Sequence, residues 1–172
     1  VLKEDIFNLS SYLGLTIHGI LGNYFFDSFT VKVNYMNEKI TYIRSSRFKG
    51  SSWEKIEVTM IDQKPYLFAK INSKVTGSLN TKLIIDCGAS HALSLESLNQ
   101  HTFPVPEPYI DGNLGVGLNG TIQGKISRIE ELQIGAFKIK NVLTSYPNYE
   151  DIGAKSTVIN RNGNLGANIL NK

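Results

Sequence analysis

Leu83-Ile84-Ile85-Asp86-Cys87-Gly88-Ala89-Ser90-His91-Ala92-Leu93 is the stretch on which the fold turns. Its three leading apolar residues predict a buried strand, and that strand runs straight into a carboxylate, a small residue and a glycine. Such a layout sets an ionisable group at the end of a rigid element, where Gly88 permits a turn that a Cβ would obstruct. A short helix is expected beyond it, over about 95–100, with Ser94 as its N-cap. Taken alone, Asp-x-Gly also describes an aspartate that merely bonds turn amides, so the surrounding sequence has to decide.

That surrounding sequence is mainly β. Phe29 to Tyr35 and Lys39 to Ile43 alternate apolar and polar residues about a tight Met36-Asn37-Glu38 link, which predicts a hairpin. A second hairpin is expected from Ile56, Val58 and Met60, through Asp62-Gln63-Lys64-Pro65, to Leu67, Ala69 and Ile71. A third crosses Gly135, from Leu132 and Ile134 to Phe137 and Ile139. Short strands between turn residues argue for a barrel or sandwich. Brief helices are expected at about 6–13 and for a turn or two after Gly22 and Gly166. Pro104, Pro106 and Pro108 hold their stretch extended as a loop, and 45–52 is expected to be a linker.

Composition removes several function classes. Hydrophobic residues make up 41% of the 172 and charged residues 19%, a globular balance. No apolar run approaches the ~18 residues that a spanning helix needs. The net charge of +3 is scattered, so no basic stripe supports a nucleic-acid partner. With Cys87 as the single cysteine, an internal disulfide, a cysteine-built zinc site and an iron–sulfur cluster are excluded. His18, His91 and His101 have no metal-ligand spacing. The chain opens at Val1 rather than at a methionine, and a processed chain is expected.

A repeat organises the rest. Gly19-Ile20-Leu21-Gly22-Asn23-Tyr24-Phe25-Phe26 matches Gly163-Asn164-Leu165-Gly166-Ala167-Asn168-Ile169-Leu170, each reading Gly, any, Leu, Gly, two variable positions and two hydrophobic residues. The match is either a coincidence of two glycine-rich turns or the trace of two copies of one lobe. On the second reading, 1–52 is the C-terminal part of a preceding lobe, with its hairpin, and 53–172 is a lobe of its own. The aromatics Tyr24, Phe25 and Phe26 are expected in a core.

Ile84-Ile85-Asp86-Cys87-Gly88-Ala89-Ser90 resembles the active-site loop of the retropepsin-like aspartic proteases, hydrophobic-hydrophobic-Asp-Thr-Gly-Ala-Ser, at every position but Cys87. Leu165-Gly166-Ala167-Asn168-Ile169-Leu170 is similar to their hydrophobic-Gly element with its short helix. Leu114-Gly115-Val116-Gly117-Leu118-Asn119-Gly120 is similar to the glycine-rich flap that closes over substrate. The bacterial two-lobe members, the "aspartyl protease family" proteins, are the nearest in character. The resemblance implies a retropepsin-like acid protease barrel lobe with short helices, in which 85–88 and 165–168 lie side by side. It also implies hydrolysis of peptide bonds in a peptide or protein substrate, with no metal or other cofactor, and a periplasmic or cell-surface location.

The site that the resemblance implies has Asp86 as its catalytic residue, Cys87, Gly88, Ala89 and Ser90 as its active-site loop, and Gly115, Val116, Gly117 and Leu118 as its flap. Two aspartates held close cannot both ionise readily, so they share a proton and titrate as a pair. Of the six aspartates only Asp86 follows an apolar strand and is itself followed by a small residue and a glycine; Asp111-Gly112 reads as a plain turn entering the flap. The mate is therefore expected from a missing lobe or from a homodimer partner. Cys87 stands where the family carries a Thr or Ser that braces the opposing loop, and a thiol is a weaker donor. That leaves a second class open, a catalytically silent peptide-binding or assembly module. Cys87 as a nucleophile with His91 as base is a rival that the surrounding motif explains less well. Ser90 is expected either to bond the outer oxygen of Asp86 or to cap a helix, His91 to pack near the loop, and His18 to lie at the surface.

Overall fold

The computed structural model describes residues 9–44, 50, 52–117, 120–148 and 161–171. The chain divides into two compact units, Val1–Trp53 and Glu54–Lys172.

The first unit holds helices α1 (Leu9–Leu13) and α2 (Asn23–Asp27) and an antiparallel hairpin of β1 (Thr30–Asn34) and β2 (Lys39–Ile43), in register Thr30↔Ile43 to Asn34↔Lys39. The hairpin is the one that the alternation predicts. Phe25 packs edge-on against Phe26 and Tyr42, with ring centroids 5.5 and 4.9 Å away. None of the described residues here is buried, however, and Phe26, Phe29 and Tyr42 stay largely exposed. The expected core around Phe25 and Phe26 is thus a surface cluster, because two strands alone have no second layer to close over it; the Tyr24 side chain lies outside the description. Most of the expected linker, 45–49 and 51, is likewise outside the described residues.

The second unit is mainly β. Its strands are β3 (Thr59–Ile61), β4 (Lys64–Ser73), β5 (Gly77–Asp86), β6 (Leu93–Leu95), β7 (Ser97–Leu98), β8 (His101–Thr102), β9 (Ile110–Gly117), β10 (Gly120–Ile134), β11 (Phe137–Pro147) and β12 (Gly163–Gly166), followed by helix α3 (Ala167–Leu170). One eight-stranded sheet runs β3-β4-β5-β12-β6-β11-β10-β9. It turns back on itself where Glu131–Gln133 of β10 pair with Asn72–Lys70 of β4, leaving β3 and β9 outside, so it is not a clean barrel. Inward residues of the curled sheet form the core: Leu67, Ala69 and Ile71 of β4, Leu83 of β5, Leu93 and Leu95 of β6, Val142 of β11 and Leu165 of β12. Phe103 seals it from the proline loop, which Ser127 ties down by donating its Oγ–H between the carbonyls of Pro106 (2.7 Å) and Pro108 (2.8 Å).

Three expectations change here. Residues 95–100 are not helical; Leu93–Leu95 pairs with β11 and β12 and Ser97–Leu98 pairs with β8, and such pairing outweighs local propensity. Ser94 is accordingly a buried strand residue, not a cap. Asp111-Gly112 is no turn but part of β9, paired with Lys125 and Gly124. The second hairpin forms with its first arm confined to Thr59–Ile61, turning through Asp62 and Gln63, both at positive φ.

Asn162 pins the lead-in to β12. Its N–H donates to the Lys82 carbonyl (2.8 Å), its Oδ1 accepts from Lys82 N–H (2.9 Å), and its carbonyl accepts from Glu96 N–H (2.7 Å). Beside it the Arg161 guanidinium meets the buried Glu96 carboxylate at 2.8 Å.

Two phenol hydroxyls, of Tyr66 and Tyr146, are buried without a hydrogen-bond partner among the described residues. Burial pushes the Tyr146 phenol well above its ordinary value of 10.0. A raised folded value means that stability is fully present below pH 10 and falls as pH rises past the unfolded value, because only the unfolded chain ionises readily. Tyr146→Phe is expected to change stability at neutral pH by no more than about 1 kcal/mol, since no bond is lost. It should also flatten the alkaline decline, read as urea midpoints at neutral and alkaline pH.

Candidate active site

The site is assembled by strand insertion. β12 lies between β5 and β6, parallel to the first in register Gly163↔Leu83 to Gly166↔Asp86, and antiparallel to the second, Leu165 facing Leu93. Parallel neighbours need a long crossover, and the chain supplies it by leaving β5 at Asp86 and returning at Gly163. The loop after Asp86 is then stitched to the start of α3. Gly166 N–H donates to the Ala92 carbonyl (3.0 Å), Ala167 N–H to Ala89 (2.8 Å), Asn168 N–H to His91 (3.3 Å), and Asn168 Nδ2 to Ser90 (2.7 Å).

Glycine is required at both ends of β12 by space rather than by dihedral angle. A Cβ on Gly166 would overlap the carbonyl oxygen of His91 and press on that of Ala89, and one on Gly163 would overlap the carbonyl of Ser94. Gly166 itself is ordinary extended backbone, φ −95° and ψ 177°. Gly22, its counterpart in the repeat, has nearly the same angles, φ −87° and ψ −178°, and also opens a short helix. The two differ in surroundings: Leu165 is 0% exposed between its neighbours, whereas Leu21 is 56% exposed.

The Asp86 carboxylate is half-buried and held by two donors. Gly88 N–H bonds Oδ1 at 2.9 Å, and Asn164 Nδ2 reaches Oδ2 at 3.5 Å. Ala89 N–H closes the turn onto the Asp86 carbonyl at 3.2 Å. Asn164 in turn presents Oδ1 to His91 Nε2 at 3.2 Å. Ser90 is exposed and uses its carbonyl, toward Asn168, so the donors found on the carboxylate are Gly88 and Asn164 and not the Ser90 hydroxyl. Cys87, the residue after Asp86, is a free, exposed thiol.

Asp86, Gly88, Ala89, Ser90 and His91 therefore come together with Gly166, Ala167 and Asn168. Gly115, Val116 and Gly117 lie in the β9–β10 hairpin, paired Gly115↔Ile122, Val116↔Thr121 and Gly117↔Gly120, and Asn113 Oδ1 accepts from Gly115 N–H at 2.8 Å. Leu118 and Asn119, at its tip, lie outside the described residues. Asn164 is the residue that motif reasoning passes over. Its signal is slight, a lone amide on the face of β12 opposite the buried Leu165.

Among the described residues no three His, Cys, Asp or Glu side chains converge as metal ligands, and no helix is long and apolar enough to cross a membrane. Comparison of the chain with protein-family models and with curated proteins gives no match.

Proposed function

We propose that residues 54–172 form a retropepsin-like lobe supplying one half of an aspartic peptidase site, with Asp86 as one of two carboxylates that activate a water. The observation that carries this reading is the pairing of Gly166 with Asp86 on a strand inserted beside the Asp-Cys-Gly turn. It leaves a carboxylate fixed at a strand end, half-exposed, with glycines on both sides and no ion pair to a cation among the described residues. An ionised partner takes a proton from the water as the water attacks the peptide carbonyl, and a protonated partner donates to the developing oxyanion. Backbone groups of the β9–β10 hairpin suit an extended peptide, which binds as an added strand.

The second aspartate comes from another lobe or from a second copy of the chain. The repeat favours another lobe: 19–26 shares the sequence pattern of 163–170, the backbone angles of Gly22 match those of Gly166, and no strand lies beside 19–22 among the described residues of its own unit. A silent peptide-binding module is the second reading, favoured by the thiol of Cys87 in the bracing position.

The test is cleavage of an unfolded protein between about pH 3 and 8, the range in which a carboxylate pair and its partners titrate, by the chain at rising concentration and by two chains fused in tandem. Cleavage with a bell-shaped pH profile is expected. Activity that rises with the square of chain concentration assigns the mate to a second copy. Absence of cleavage in both preparations at every pH, with peptide still bound, establishes the binding module.

A further inference from the structure

We propose that Asn164 is a positioning residue that fixes the orientation of the Asp86 carboxylate, and that His91 holds the Asn164 amide the right way round. The consequence for catalysis rests on the peptidase reading above; the hydrogen-bond relay itself does not.

What each group can donate fixes the pattern of bonds. An ionised carboxylate only accepts, so the Asn164 atom facing Asp86 Oδ2 has to be the NH2 group. The Asn164 carbonyl oxygen then faces His91 Nε2, 3.2 Å away, and that nitrogen must carry a proton. Turning the amide over would set its oxygen against the carboxylate and its NH2 against the ring N–H, which loses both bonds. The tautomer of His91 and the orientation of Asn164 thus fix each other. With Gly88 N–H on Oδ1 and Asn164 on Oδ2, rotation of the carboxylate about its own axis breaks a bond at each oxygen. The 3.5 Å contact is long for a charge-assisted bond and is the kind that tightens when substrate is bound.

Each residue is where it must be for reasons already given. Asn164 stands opposite Ile84 in the parallel register, two positions before Gly166, on the face of β12 turned away from the core. His91 lies in the loop whose carbonyl Gly166 must clear.

The experiment reads the ring nitrogens of isotope-labelled histidine by NMR at alkaline pH, with the His91 signals identified by their loss in His91→Phe. The wild-type chain is expected to hold His91 as the Nε2–H tautomer. Asn164→Leu, and separately Asp86→Asn, whose amide tolerates either orientation of Asn164, are expected to abolish that preference. In a preparation that cleaves peptide, Asn164→Leu is expected to lower kcat by up to about a hundredfold with KM little changed. An Nδ1–H tautomer in the wild type, or an Nε2–H preference that survives both substitutions, overturns the relay. An intact tautomer preference in a chain that cleaves nothing supports the relay and counts against the peptidase reading alone.

Discussion

Gly166→Ala is expected to destabilise the second unit by about 3–5 kcal/mol, while Gly22→Ala, at the matching position of the repeat, costs almost nothing. The backbone angles of the two glycines are nearly the same and suit any residue, so the contrast is purely one of neighbours. At Gly166 the new methyl overlaps the His91 carbonyl and crowds that of Ala89, and these two oxygens accept the N–H groups of Asn168 and Ala167. Backbone cannot step aside as a flexible side chain would. The overlap itself costs about 1–3 kcal/mol, and each hydrogen bond pulled out of line adds about 1 kcal/mol. At Gly22 the methyl meets nothing within 4 Å. Thermal unfolding separates the cases, with a fall in midpoint of roughly 10 °C or more for Gly166→Ala. An equal loss at Gly22 would mean that strands do flank 19–22 in the working protein, as they flank β12.

That pair of glycines also marks what the sequence could and could not disclose. The Asp86 turn and the Leu-Gly motif were legible because each depends on residue types that few other arrangements need: an apolar run ending in a carboxylate, and glycines where carbonyls approach. The hairpin at 30–43 and the stretch 132–139 of the one that turns at Gly135 were legible from alternation and turn residues. Strand pairing over 93–98 was not, since Leu-Ser-Leu-Glu-Ser-Leu suits a short helix equally well, and only the partners beside it, β11 and β12 for Leu93–Leu95 and β8 for Ser97–Leu98, choose the strand. Alternation fails for a different reason in β10. Its buried set moves from Ser127 and Ile129 to Leu132 and Ile134, a change of parity opposite Asn141, which sits at φ 55°. Asparagine tolerates that left-handed conformation, and nothing in a period-two pattern announces where it will be used. Asn164 escaped notice because its role exists only once parallel pairing sets β12 beside the strand that ends in Asp86. Amides become specific through what the fold puts next to them.

Asp86→Asn is expected to remove peptide cleavage by about a thousandfold or more, the upper part of what general acid–base catalysis supplies, while leaving fold and peptide binding in place. The amide matches the carboxylate in shape and retains one acceptor oxygen. It can satisfy Gly88 N–H or Asn164 Nδ2 but not both, which costs about 1 kcal/mol of stability. What it cannot do is take a proton from water, or share one with a second aspartate. Cys87→Thr is expected to act in the opposite direction. The thiol is exposed, so a hydroxyl fits there without repacking a core, and it supplies a stronger donor toward an opposing loop. A rise in kcat for Cys87→Thr, with none in the Cys87→Thr/Asp86→Asn double variant, would place the thiol's effect inside the carboxylate chemistry. Cleavage that survives Asp86→Asn would instead assign the activity to another group, and a chain that binds peptide in all four forms and cuts in none would be the silent module. The four variants share one fold and differ by a few atoms at adjacent positions, so kcat read at matched thermal midpoints distinguishes these outcomes from simple loss of structure.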